Sequence, residues 1–290
     1  MKWFFALNEK GNQFENYSKM LKVAVHTAQK FTSLDPVFLY DGEPNRLTAW
    51  LEKRNVKILN CRSFLFEKLK QISENRKERH FLEIGAGAFL RTEIPRLAWE
   101  NRIRDNFVLY TDVDVMFAGE VVDLLETLAP KYFAVAPEFS KDNYEEMNSG
   151  VMLMNLQKLR KRDDDFRRFM SKNIDILVDN AWDQAAYRMF YKASYGYQWD
   201  KLPPEFNWKT YWEENPLARI IHFHGPKPFQ MEALTNHTDP ILTPLVTDKY
   251  FEFCRRWEEY YREACDGGGG ALRPELGERA QVAGVVERSR

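Results

Sequence analysis

Phe107-Val108-Leu109-Tyr110-Thr111-Asp112-Val113-Asp114 runs an apolar segment straight into two carboxylates. The apolar part has the length and bulk of a buried strand. In a parallel α/β sheet, the carboxyl ends of strands are where ligands gather. A side-chain period of two puts Asp112 and Asp114 on one side, with Val113 pointing away. Neighbouring carboxylates repel, so both stay ionised only when a cation or hydrogen-bond donors lie between them. A divalent ion holding a diphosphate is the natural occupant. Two solvated loop aspartates after a core strand would read the same way, so the pair needs support from elsewhere in the chain.

Working outward, strand-like and helix-like segments alternate. Residues 2–7, 37–40 and 56–59 read as short buried strands, and residues 14–30 and 44–54 as helices between them. Residues 67–79 are charge-dense, a solvated helix or a loop, and residues 88–104 are helical with Pro95 as a break or restart. After the 107–110 strand come strands at 131–136 and 150–155, helices at 156–170 and 183–192, a strand at 219–224 and a terminal helix at 248–264. This order predicts an α/β fold with a mainly parallel central sheet and helices on both faces. Residues 1–265 form one Rossmann-like domain in this reading. Residues 266–290, with Gly267-Gly268-Gly269-Gly270 and no aromatic residue, read as a flexible tail or a cloning remnant.

Composition limits the function. With 42 Lys+Arg against 43 Asp+Glu, no field gathers nucleic acid or anionic lipid, although peripheral membrane contact stays open. The 8 Trp, 13 Tyr and 21 Phe exclude disorder over most of the length. Three cysteines, Cys61, Cys254 and Cys265, make neither a disulfide framework nor a thiolate zinc site and fit a reducing compartment. The apolar opening Trp3–Leu7 is far short of a signal core or a membrane span. A cytoplasmic protein is expected.

Three further clusters carry polar chemistry. In Ile220-Ile221-His222-Phe223-His224-Gly225-Pro226-Lys227-Pro228 the two histidines share a strand face, and the turn presents Lys227. An imidazole beside two carboxylates makes a mixed nitrogen/oxygen site that favours Mn²⁺ somewhat over Mg²⁺. A lysine is a compact charge for a leaving phosphate. Met147-Asn148-Ser149-Gly150 reads as a turn opening the strand Val151–Met154. Trp182-Asp183-Gln184 reads as a helix start, with the aspartate as an N-cap. Most of the later aromatics, Trp182, Trp199, Trp208, Tyr211, Trp212 and Phe229, are expected in the core. Leu82-Glu83-Ile84-Gly85-Ala86-Gly87-Ala88 has the flavour of a methyltransferase or dinucleotide loop, but the third glycine is missing. It is read as a loop entering the helix of Arg91.

In order along the chain, these pieces resemble the retaining glycosyltransferases of family 8, which have the GT-A fold. The likeness runs from Ala6-Leu7-Asn8 through Phe89-Leu90-Arg91, Asp112-Val113-Asp114, Asn148 to Leu156, Asp183-Gln184 and Leu202 to Asn207, and closes at His222 to Pro228. It implies a nucleoside-diphosphate sugar donor, most often a UDP-hexose, a carbohydrate acceptor and Mn²⁺, with Mg²⁺ as the alternative. By the same likeness Asp112, Asp114 and His222 hold the metal. Ala6, Asn8, Arg91, Val113 and Gly225, with the two aspartates, fall on the donor side. Lys227 neutralises the leaving diphosphate, and Asn148, Asp183 and Gln184 line the sugar and acceptor side. Only Pro226 separates Gly225 from Lys227 where the family usually has two residues, and Phe229 stands where tryptophan is common. The choice between His222 and His224 as metal ligand therefore stays open. Two other classes compete: an S-adenosylmethionine-dependent methyltransferase using Gly85 to Gly87, and a non-catalytic nucleotide-sugar or carbohydrate-binding protein. The sugar, the linkage and the oligomeric state are not legible.

Overall fold

The computed structural model describes residues 1–266 apart from 193, 195, 237 and 238. The first half runs β1 (Lys2–Asn8), α1 (Phe14–Phe31), β2 (Asp35–Asp41), α2 (Arg46–Glu52), β3 (Lys57–Asn60), α3 (Phe66–Arg76), α4 (His80–Ala88), α5 (Ile94–Glu100) and β4 (Phe107–Thr111). The second half runs β5 (Val115–Phe117), α6 (Val122–Leu125), β6 (Phe133–Pro137), β7 (Met147–Asn155), α7 (Leu156–Val178), α8 (Trp182–Phe190), β8 (Asp200–Lys201), β9 (Trp208–Lys209), β10 (Ile220–His222), α9 (Met231–Asn236) and α10 (Asp248–Asp266). The expected tail after residue 266 lies outside the described residues.

The central sheet has seven strands in the order β3-β2-β1-β4-β7-β6-β8. Only β7 runs against its neighbours β4 and β6; the other pairings are parallel. Alternation along each strand splits the core in two. Phe4, Val108, Tyr110, Met152 and Met154 face the helices α3, α4, α5, α7 and α8. Trp3, Phe5, Leu109, Val151 and Leu153 face α1, α2 and the short β5. A second, three-stranded sheet, β5-β10-β9, packs with α10 on the outer side of α1, where Met20, Val23, Trp208, Trp212, Phe223, Tyr250 and Trp257 form a third cluster.

Local chemistry explains most boundaries. Asn45 caps α2, accepting from the backbone of Leu47 and Thr48, while Thr48 answers the Asn45 N–H. Phe66, Leu69 and Ile72 are buried on one side of α3, so the charge-dense segment is a helix, not a loop. Pro95 acts as a restart: a 3₁₀ turn over Phe89–Glu93 leads into α5, with the proline in its first turn.

Two expectations are corrected. The segment with Gly85 and Gly87 is helical, not a loop, and its glycines lie against Leu69 and Asn8. The methyltransferase alternative thereby loses the loop it required. The Asn148-Ser149-Gly150 segment lies inside β7, not in a turn before it. Val135 pairs with Met152 but Ala136 pairs with Asn148. The intervening residues of β7 bulge away from β6, as strands do where they must re-aim side chains.

Arg167 of α7 is buried between Glu93 and Asp163, with Nη2 2.6 Å from Glu93 Oε2 and Nε 2.9 Å from Asp163 Oδ2. Removing one partner of a buried pair strands the others. Arg167→Met is expected to lower the unfolding free energy by about 3 kcal/mol, read from urea denaturation. A loss under about 1 kcal/mol would mean that water screens this cluster.

Candidate active site

The end of β4, the bulged part of β7, the start of α8 and the end of β10 converge at one place. Asp112 and Asp114 follow β4, and His222 closes β10 beside them because β10 pairs antiparallel with β5. One ligand atom from each of Asp112, Asp114 and His222 falls within 4.8 Å of the others. The Val113 side chain points away into the core.

Arg91 organises one side. Its side chain is buried, its Nη2 is 2.7 Å from Asp112 Oδ1, and its Nε is 2.8 Å from Asp183 Oδ2, an ionic contact off the N–H direction. Nη1 donates to the Ser149 carbonyl, and the guanidinium stacks on the Tyr110 ring, 4.4 Å from its centroid. Tyr110 donates to Asp112 Oδ1 at 3.0 Å. Burial opposes the Arg91 charge, but Asp112 and Asp183 more than restore it. Burial raises Asp112 against the pull of Arg91, and it lifts Asp183 to about 7 despite Arg91. Asp183 is therefore an ion-pair partner inside α8, not its N-cap, which is Ala181.

The other side is built on Asp114. Burial works against its charge, but Lys227 and His222 hold its carboxyl far below the usual range. Lys227 Nζ is 2.7 Å from Asp114 Oδ2 and 2.5 Å from the Phe223 carbonyl. Asp114 Oδ1 is buried without any hydrogen-bond partner, 3.3 Å from His222 Nε2. Burial pulls His222 down to about 3 against that carboxylate, so the ring is neutral. An orphaned carboxylate oxygen facing a neutral imidazole nitrogen, with a second carboxylate near, fits a divalent cation. His224 is turned elsewhere: Nδ1 lies 2.9 Å from the Tyr211 hydroxyl and Nε2 is 3.6 Å from Glu138. Gly225, at φ +83°, makes the turn between this histidine and Lys227.

Behind these groups lies a buried polar network. Asn148 Oδ1 accepts from Gly150 N, Asn207 Nδ2 and Lys209 Nζ at 3.1, 2.9 and 3.0 Å. Gln184 Oε1 accepts from Ser149 N at 2.8 Å, and its Nε2 donates to Glu138 at 3.0 Å. Burial raises Glu138, but hydrogen bonds from His224, Gln184 and Arg188 outweigh it and set the carboxyl at about 2. Burial also pulls Lys209 down to about 7. Ala6 is half-buried in β1, and the Asn8 amide is spent on Glu83, Lys10 and Gly11. Beside Lys227 a cleft of about 580 Å³ opens, with Tyr17, Gly225 and Phe229 among its walls.

Sequence reasoning missed Lys209, Glu138 and Arg188. Lys209 stands two residues after Asn207, the strand spacing that returns a side chain to the same face, and that was the available signal. Glu138 follows β6 as Asp112 follows β4. Of the expected core aromatics, Trp199, Trp208 and Trp212 are buried, whereas Trp182, Tyr211 and Phe229 are half-buried.

Residues 14–231 match the family model described as Glycosyl transferase family 8. Among solved structures the chain is similar to the galactosyltransferase LgtC in complex with donor and acceptor sugar analogs: 18% identity, TM-score 0.59, covering 91% of this chain and 96% of that one. It is similar to the glycosyltransferase GlyE of Streptococcus pneumoniae TIGR4 at 17% identity and TM-score 0.58, over 90% of this chain but 63% of GlyE. Mouse xyloside xylosyltransferase 1 matches at 14% identity and TM-score 0.52, over 77% of this chain and 97% of that one. These identities show a shared fold. No curated protein sequence matches at a significant level.

A methyl group on Gly150 would lie 2.3 Å from His222 Cε1 and 2.9 Å from Asn148 Oδ1. Gly150→Ala is expected to push the imidazole aside and weaken Mn²⁺ binding roughly tenfold, with an overpacking cost of about 1–3 kcal/mol. Titration followed by electron paramagnetic resonance checks it, and unchanged affinity would show that the ring yields without losing its place.

Proposed function

The chain belongs to glycosyltransferase family 8, and from that premise we propose that it moves a hexose from a UDP-sugar to a hydroxyl of a carbohydrate acceptor, with retention of the anomeric configuration. The observation that carries this reading is the buried, unpartnered Asp114 Oδ1 beside His222 Nε2, with Lys227 on the carboxylate's other oxygen. A cation and a diphosphate complete such a set; a neutral ligand does not.

Asp112, Asp114 and His222 would hold Mn²⁺, or Mg²⁺ as the less suited ion for a site with one nitrogen donor. When bound, the ion supplies positive charge against the departing diphosphate. Lys227 supplies the second charge from the edge of the cleft, and its value grows as the anomeric bond to phosphate breaks. Ala6, Asn8, Val113 and Gly225 sit on the donor side. Arg91 sets the carboxylate of Asp112 and, through Asp183, the start of α8. On the sugar side Gln184 is held by Ser149 and Glu138, so its position is fixed before substrate arrives. Asp183 and Gln184 steady the oxocarbenium-like sugar or orient the acceptor, which attacks from the face that the diphosphate leaves. Asn148 lines this side from below. Three unpaired cysteines favour the cytoplasm, and among the described residues no helix is long and apolar enough to cross a membrane.

Asp114→Ala is expected to weaken UDP binding at least tenfold in the presence of Mn²⁺ and to change it little without the ion, as measured by calorimetry. Equal UDP affinity of the unaltered protein with and without Mn²⁺ would defeat the reading. Binding without hydrolysis or transfer of any UDP-sugar would leave a donor-binding protein instead.

A further inference from the structure

We propose that Lys209 is a positioning residue that, through Asn207, fixes which ring nitrogen of His222 is presented to the Asp112–Asp114 pair. The inference rests on the metal-dependent reading above but concerns a residue outside the assigned set. Lys209 is wholly buried on β9 and, among the described residues, makes no ion pair. Its Nζ lies 2.7 Å from Asn207 Oδ1 and 3.0 Å from Asn148 Oδ1. Charged or neutral, the amine carries at least two N–H bonds, enough for both oxygens.

The consequence passes along the network. Asn207 Nδ2 donates to Asn148 Oδ1 at 2.9 Å, so Asn207 Oδ1 is the atom that faces both Lys209 and His222 Nδ1, the latter at 2.8 Å. Lys209 Nζ itself lies 3.4 Å from Nδ1, farther than from either amide oxygen, so Asn207 Oδ1 is the closer partner of that ring nitrogen. An amide oxygen only accepts, so the proton of the neutral ring is on Nδ1 and the Nε2 lone pair points at Asp114 Oδ1. A side-chain amide can exchange oxygen and nitrogen by a half-turn, and a relay of amides alone can run in either direction. Two donors in this relay cannot reverse. Gly150 N–H reaches only Asn148; Lys209 reaches both amides, and is the one irreversible donor on Asn207. In the reversed relay Asn207 would donate to Nδ1, and Nε2–H would close on Asp114 as an internal hydrogen bond. That ring would offer no lone pair to a metal. Gly150 N–H holds the Asn148 end of the relay and Lys209 holds the Asn207 end next to the ring. Lys209 thus locks the open arrangement where it meets His222, the role that outer partners of histidine ligands generally play.

The test uses the full chain, metal-free, with ¹⁵N-labelled histidine. The His222 signals are expected as a protonated Nδ1 and an unprotonated Nε2; the opposite pattern overturns the proposal. Lys209→Met, which keeps bulk and removes the donors, is expected to raise the Nε2–H population and weaken Mn²⁺ binding three- to tenfold. Lys209→Gln, which keeps an N–H donor, is expected to restore most of both. If Met and Gln variants behave alike, or if both keep the native tautomer and Mn²⁺ affinity, Lys209 only fills space and the proposal falls. Should Met prevent folding, the Gln variant decides: native tautomer and affinity within twofold support the relay, and their loss overturns it. Failure of UDP to bind alongside a correct tautomer would count against the proposed function alone.

Discussion

One buried guanidinium shared by two carboxylates, Asp183 buried and Asp112 partly open to the site, sets the terms for everything around it. Arg91 meets both Asp112 and Asp183, and the Asp114–Lys227 pair lies close by. Buried charge without compensation costs several kcal/mol, so the surrounding structure is arranged to deliver positive groups and N–H donors to this spot. The 3₁₀ turn before α5 aims Arg91 inward. The bulge of β7 brings the Ser149 carbonyl to the guanidinium, and the first turn of α8 brings Asp183. This one guanidinium holds the sheet end and the bulge by hydrogen bonds, and the start of α8 by an ion pair.

Much of this was legible from local pattern. The Asp-x-Asp pair after an apolar strand needs only the period of a strand to be placed, and the parallel order of β1, β2, β3 and β4 follows from alternating segments. The parts that stayed hidden are those settled by distant neighbours. Asn148-Ser149-Gly150 looks like a turn because small polar residues usually are one, and only the pairing with β6 shows that it continues β7. The glycine-rich segment near residue 85 looks like a phosphate loop, but Leu69 and Asn8 lie against it and its glycines serve close helix packing. Lys209 and Glu138 carried no motif, since, Asn207 apart, their partners lie 13 to 86 residues away in chain order: His222 and Asn148 for the lysine, Gln184, Arg188 and His224 for the glutamate.

The two histidines show how one strand position divides the chemistry. Their rings are 5.7 Å apart, and sequence spacing alone treats them alike. Asn207 takes the inner nitrogen of His222, while Tyr211 takes the corresponding nitrogen of His224. One ring is left facing the Asp114 oxygen that lacks a partner, the other facing a glutamate that already has Gln184 and Arg188. Partners outside the motif, and not the motif itself, separate a ligand candidate from a wall residue.

Lys227 is gripped on every side: its ammonium by Asp114 and the Phe223 carbonyl, its backbone N–H by Gln230 Oε1, and its own carbonyl by the Tyr250 hydroxyl at 2.8 Å. Tyr250 belongs to α10, which lies beyond residue 231, where the family match stops. The smallest piece of chain that keeps the site intact is therefore longer than the stretch that identifies it. A fragment ending with the family pattern would retain the sheet, both aspartates and His222, yet Lys227 would lose the tyrosine that holds its carbonyl. The boundary of recognition and the boundary of mechanical completeness do not coincide in this protein, and the aromatic face of the last helix marks the difference.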